Sequence, residues 1–248
     1  MSSEKSESSV EHHILRVPLE GERFHHILVT VKTVLARYTG SGPEHQVGSI
    51  AVQATYLTGP NSRHGLIAGH ISSMGGTFDT YSRSVKITNG SVMVRNGFKG
   101  LGIGSFMFDV IVKWALERDL SFKVSPIKVA EVDATEENQA RRNKFYANFG
   151  VLFGAPMNEG IIGGWSDPMF VGDLKSHTGW ASRLDRLDYL NGLWAIGDEI
   201  QELLLDARSH QYRVENLKDQ IAHLRRSKFR ITVALTIAAI VLALVILI

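Results

Sequence analysis

Residues 231–248 carry no charged side chain, and the hydroxyls of Thr232 and Thr236 are their only polar groups. A helix lying on a globular core needs a polar face, and this run has none at any angle. Eighteen residues rise about 27 Å as a helix, enough to cross most of a hydrocarbon layer. Arg225, Arg226, Lys228 and Arg230 precede the run, a basic flank of the kind that stays on the cytoplasmic side. The first thirteen residues are rich in Ser and Glu and do not resemble a signal sequence. The expectation is a single-pass tail anchor over 229–248, inserted into a membrane after synthesis, with the N-terminal part on the cytoplasmic side.

The stretch before it narrows the architecture further. Tyr189, Leu193, Ile196, Ile200, Leu203, Ala207, His210, Val214, Leu217, Ile221 and Leu224 recur in alternating steps of four and three. That is a heptad seam, and it predicts a coiled-coil stalk over 179–228 that joins copies of the chain into a homo-oligomer. His210 in the seam reads as a register device rather than a metal ligand. The alternative for such a helix is to fold back on the globular part.

The remainder, 14–178, is long enough for one α/β (α+β) domain behind a polar, disordered tail at 1–13. There is no cysteine, which removes disulfides, thiolate metal sites and cysteine nucleophiles. With 27 basic against 25 acidic residues, no nucleic-acid partner is expected. Residues 27–34 and 47–57 are dense in β-branched side chains, and 65–71, 85–87 and 91–94 read as shorter strands, together an antiparallel meander. Then the period changes. Residues 105–116 place Phe106, Met107, Val110, Ile111, Trp114 and Ala115 on one helical face. A strand at 127–132 and a second helix from about Thr135 to Phe149 follow, with Gly150 as its stop and short strands at 151–153 and 169–171 beyond it.

Between the 91–94 strand and the first helix stands Lys99-Gly100-Leu101-Gly102-Ile103-Gly104-Ser105. Three glycines let the chain turn sharply, and the first N–H groups of the helix, helped by its dipole, suit a phosphate. A dinucleotide turn runs G-x-G-x-x-G, where this chain has G-x-G-x-G, and a Walker loop ends in Gly-Lys-Ser or Gly-Lys-Thr, which is missing.

That turn, followed by Asn138 and by Phe145-Tyr146-Ala147-Asn148-Phe149-Gly150, resembles the GNAT superfamily of N-acetyltransferases over about 91–153. Lys99 stands where the family has Arg or Gln, and the step from Asn138 to Tyr146 is one residue longer than its commonest form. The resemblance implies a mixed central sheet flanked by helices. It also implies acetyl-CoA as donor substrate, with its pyrophosphate on the turn (Lys99, Gly100, Leu101, Gly102, Ile103, Gly104, Ser105) and its pantetheine along Val92, Val94 and Asn138. Tyr146 is implied as proton donor to the leaving thiolate, the acceptor being an amine on a protein or small molecule that attacks directly, with no metal. For the base that deprotonates the amine, Glu131 and Asp133 share one face of their strand, and Glu131 is the choice; His64 and His70 are not ranked. The rival expectation is a fold that binds CoA, or nothing, and serves as a membrane-tethered scaffold.

Overall fold

β-branched residues two apart in the first half of the chain each turn one face inward. In the computed structural model, residues 3–19, 23–39, 45–59, 69–129, 136–153 and 164–247 are described; at 3–4, 91, 136–138, 234 and 236–247 the description is of the backbone alone. The chain divides into two units, Met1–Trp194 and Ala195–Ile248.

The first unit is built on an eight-stranded sheet in the order β10-β1-β2-β3-β4-β5-β6-β9. Its strands are β1 (Ser3–Pro18), β2 (Phe24–Thr39), β3 (His45–Thr58), β4 (Gly69–Asp79), β5 (Ser84–Ser91), β6 (Lys123–Val124), β9 (Met169–Phe170) and β10 (Asp185–Asp188). Neighbours run antiparallel except β5 and β6, which are parallel. A separate ribbon joins β7 (Lys128–Val129) to β8 (Gly164–Trp165). Ile27, Val29 and Val31 of β2 and Ile50, Val52 and Ala54 of β3 are buried at alternate positions, as period-two packing on one face requires. The helix α1 (Ile103–Leu116) lies across β3, β4 and β5, with Trp114 against Phe78 at 5.7 Å between ring centroids. Helix α2 (Glu136–Asn148) packs on α1 through an aromatic cluster in which Phe108 meets Phe145, Tyr146 and Phe149. Gly150 ends it as the sequence predicts, at φ +84, where a Cβ would stand 2.4 Å from the Asp173 carbonyl oxygen.

Three expectations are corrected. The polar segment read as a tail is most of β1, paired residue for residue with β2 from Ser3↔Thr39 to Pro18↔Phe24. Backbone hydrogen bonds rather than apolar side chains hold it, with help from Ser9 Oγ on Thr33 Oγ1 at 2.6 Å. From Ser3 to His12 it is an outer strand of the sheet, and its charges blunt that edge. Nor does the globular part stop at 178. Leu184 is buried, Arg16 binds Asp185 at 2.9 Å, and β10 pairs with β1, so the long helix α3 (Tyr189–Leu247) starts ten residues later than predicted, at the first residue of the heptad seam. Residues 151–153 form no ladder, although Val151 and Phe153 are buried.

In the second unit the backbone of α3 is helical to Leu247. Its seam is bare, with Ile200, Leu203, Val214 and Leu217 about half exposed. Among the described residues, no helix is long and apolar enough to cross a membrane. The side chains of the expected span lie outside the described residues from 236 on.

Candidate functional site

Phe98 fixes the glycine turn from below. Its ring is buried, 5.2 Å from that of Tyr56 on β3 and 6.0 Å from that of His25 on β2. From that anchor the chain passes through Gly100 (φ +83) and Gly102 (φ +85), two left-handed positions that only glycine takes without strain. Gly102 is the residue before α1, and the first helical bond runs from the Phe106 N–H to its carbonyl at 2.9 Å. The N–H groups of Ile103, Gly104 and Ser105 therefore lie ahead of the helical ladder. Among the described residues, no side chain caps this end and none of its first turn is acidic. The positive end of this fourteen-residue helix has no carboxylate in its own first turn to answer it.

The other side of the turn is closed by residues 176–184. A Cβ on Gly102 would be 3.5 Å from Trp180 Cα and 3.4 Å from Leu184 Cδ2, and Arg183 donates to the Gly100 carbonyl at 2.9 Å. Asp109, buried on α1, holds this cover. Its carboxylate accepts from Ser176 Oγ (2.8 Å), the His177 N–H (3.0 Å) and Trp180 Nε1 (3.2 Å), and pairs with Lys113 at 2.8 Å. Sequence reasoning passed over Asp109. A carboxylate between the apolar runs Phe106-Met107-Phe108 and Val110-Ile111-Val112 was the available signal, because a buried acid must find several donors.

Beside the turn, β5 and β6 part company. They pair only at Ser84↔Lys123 and Val85↔Val124, with two flanking bonds, from the Lys123 N–H to the Arg83 carbonyl at 3.0 Å and from the Ser125 N–H to the Val85 carbonyl at 2.7 Å. The chain then leaves the large sheet. The Ile127 N–H donates to Ser166 Oγ at 2.9 Å, and β7 pairs with β8 instead. Among the described residues nothing pairs with β5 on that side beyond Val85. Between Lys86 and Asn89, β5 has one residue more than β4 opposite it, a bulge beside the opening.

The strand expected at 91–94 ends at Ser91, and Val92 and Val94 follow it as half-buried, irregular chain. The Met93 carbonyl accepts from Ser72 Oγ (3.0 Å) and the Arg95 N–H donates to the Ile71 carbonyl (3.0 Å), both toward β4. Gly104 is next to Val94, its Cβ position 3.1 Å from that residue's Cγ2, whereas a Cβ on Gly100 would meet open space. Lys99 is exposed, Leu101 packs partly on the core, Ile103 is buried and Ser105 is half-buried. Tyr146 is buried against Phe108, Phe145 and Phe153, and burial pushes its phenol up to about 12. No hydrogen bond to that phenol is found among the described residues.

Glu131 and Asp133 lie outside the described residues, as does His64; of Asn138 the backbone alone is described, in the first turn of α2. The strand expected at 127–132 is described only as Lys128–Val129, outside the large sheet. His70 is on β4 opposite Thr55. Among the described residues, no three His, Asp or Glu side chains converge as a metal site. No protein-family model, curated protein or solved structure matches the chain.

Proposed function

We propose that the protein is a membrane-anchored N-acetyltransferase that carries an acetyl group from acetyl-CoA to an amine. One juxtaposition carries this reading: the uncapped α1 N-terminus packs by Gly104 on Val94, three residues past the end of β5, a strand that β6 has left after Val85. Ligands of open α/β sheets sit in such crevices at strand ends. The residues fit the donor. A phosphate can lie on N–H groups where no carboxylate competes, and the open space at Gly100 leaves room for it. The extended pantetheine arm can pair with the backbone of Val92 and Val94 as a strand would.

When bound, acetyl-CoA supplies the thioester. The amine nitrogen attacks its carbonyl carbon, the new C–N bond forms and the C–S bond breaks. The amine's proton passes to a base, for which Glu131 is the candidate, and Tyr146 donates its phenol hydrogen to the departing sulfur and is reprotonated from solvent. Positioning supplies much of the rate.

Calorimetry on the purified protein tests the donor half. Acetyl-CoA should bind, and Gly104→Val, whose side chain must displace Val94, should weaken binding at least tenfold. A wild-type protein indifferent to millimolar CoA sinks the reading; a Gly104→Val variant with unchanged affinity reduces the turn to a connection.

The membrane is the proposed partner of 229–248, on the strength of the uncharged run and its basic flank. Removing 229–248 should move the protein from the sedimenting membrane fraction to the supernatant. A folded truncation that still sediments with membranes would show that something else holds it. A second reading, a non-catalytic tethered scaffold, is favoured by the bare apolar seam of α3. It predicts no acetyl transfer to any amine despite intact self-association.

A further inference from the structure

The exposed seam of α3 also contains the information that selects its partner's direction. We propose that the α3 helices of two copies pair antiparallel, about a two-fold axis between Ala207 and His210. This rests on the reading that α3 associates with itself, and goes beyond it by fixing orientation and register. In this register Ala207 lies opposite His210 of the second copy. Leu203 then lies opposite Val214, Ile200 opposite Leu217, Ile196 opposite Ile221 and Leu193 opposite Leu224, so from Leu193 to Leu224 every layer but the central pair is aliphatic. A small residue facing a large one fills the layer. Parallel pairing instead stacks Ala207 on Ala207, which leaves a gap, and His210 on His210, which sets two titratable rings together in the seam.

Charge points the same way. Residues 196–207 hold Asp198, Glu199, Glu202 and Asp206 and no Lys or Arg, whereas 208–230 hold seven Lys and Arg against Glu215 and Asp219. Antiparallel pairing takes each acidic stretch away from its own copy and lays it along 210–221 of the other, where Arg213 and Lys218 balance Glu215 and Asp219. At the flanks it sets Asp206 beside Arg213 of the second copy, twice by symmetry. A parallel pair sets Arg213 beside Lys218, two like charges. About half the surface of Ile200, Leu203, Val214 and Leu217 is open to be covered, an apolar stripe that a monomer in water does not ordinarily keep. The two apolar C-terminal runs then leave the pair at opposite ends, about 70 Å apart at 231. A pair anchored at both ends would join two bilayers.

The absence of native cysteine makes the test direct. Two differently tagged full-length copies, Leu203→Cys and Val214→Cys, are co-expressed, purified in detergent and oxidised, beside each variant alone. In the proposed register residue 203 faces 214 across the pair, while the two 203 positions stand about 16 Å apart along the axis, beyond a disulfide's reach. The expected result is a disulfide-linked heterodimer from the mixture and no crosslink from either variant alone. A Leu203→Cys homodimer shows parallel pairing and overturns the orientation while self-association stands. A dimer by sedimentation that crosslinks in no combination overturns the register, and a trimer overturns the two-fold pair. A monomeric wild type overturns self-association itself. Charge reversal gives a readout without cysteine. Arg213→Asp should weaken dimerisation about tenfold, and Asp206→Arg with Arg213→Asp should restore it. Tightening by Arg213→Asp alone is the parallel signature, and overturns the proposal.

Discussion

Replacing Tyr146 by Phe is expected to lower acetyl transfer by about 10²–10³, within the range that removal of a positioned proton donor costs, and to leave CoA affinity within about twofold. The ring is buried against Phe108, Phe145 and Phe153, and Phe keeps all three contacts. Because no described residue bonds the phenol, its loss strands no buried partner, and the fold should lose less than about 1 kcal/mol. A phenol pushed up to about 12 stays protonated throughout the working range, so Tyr146 itself puts no alkaline limb on the rate below about pH 11. The same elevation constrains its role. An ordinary thiol near 8.5 is about 3.5 units more acidic, so complete proton transfer to a fully solvated thiolate is uphill by about 5 kcal/mol. On the proposed reading, the Tyr146 hydrogen bond to sulfur strengthens as charge gathers there, and the proton passes over where burial has raised the thiol as well. Single-turnover rates of the two proteins at saturating acetyl-CoA check this. Equal rates would leave Tyr146 as core packing.

Acid should destabilise the first unit before its carboxylates are protonated. His26 is buried at the start of β2, and burial first, then the charge of Arg16 and the neighbouring His25, lowers its pKa from 6.5 to about 4. At neutral pH it is uncharged in both the folded and the unfolded chain. As the pH falls through 6.5 the unfolded histidine takes up a proton and the folded one does not, so the unfolded state binds more protons and stability drops. The loss is complete near pH 4, where the folded ring also protonates. A shift of 2.5 units corresponds to about 3 kcal/mol. His13 and His25, both lowered by burial, push in the same direction. Urea unfolding of the protein at pH 7 and at pH 4.5 measures the effect. His26→Leu should recover most of the difference, and an equal fall with pH in that variant would assign the acid sensitivity elsewhere.

The parts of the fold that could be read in advance are those whose cause is local. The start and end of α1, the Gly150 stop of α2 and the alternating cores of β2 and β3 follow from side-chain period and turn chemistry within a dozen residues. The seam of α3 was legible from Tyr189 for the same reason. The turn at 99–105 was legible as a shape, since Gly100 and Gly102 do take the left-handed backbone that their type permits.

What the sequence could not disclose has its cause far along the chain. Residues 3–12 are polar and would be read as tail in any sequence; a strand forms there because β2 offers a row of backbone partners. The two-residue strands β6 to β9 carry too little pattern to be recognised, and β10 exists because β1 is already in place. Asp109 acquired its role only when Ser176, His177 and Trp180 came to it from about seventy positions away. The sequence by itself determined the turn, the helix it begins and the bare seam, because propensity and periodicity are properties of neighbours. Tertiary structure decided that β6 leaves β5 beside that turn and that the 176–184 segment covers its back, because hydrogen-bond partners and buried charges are settled by whatever the folded chain brings near.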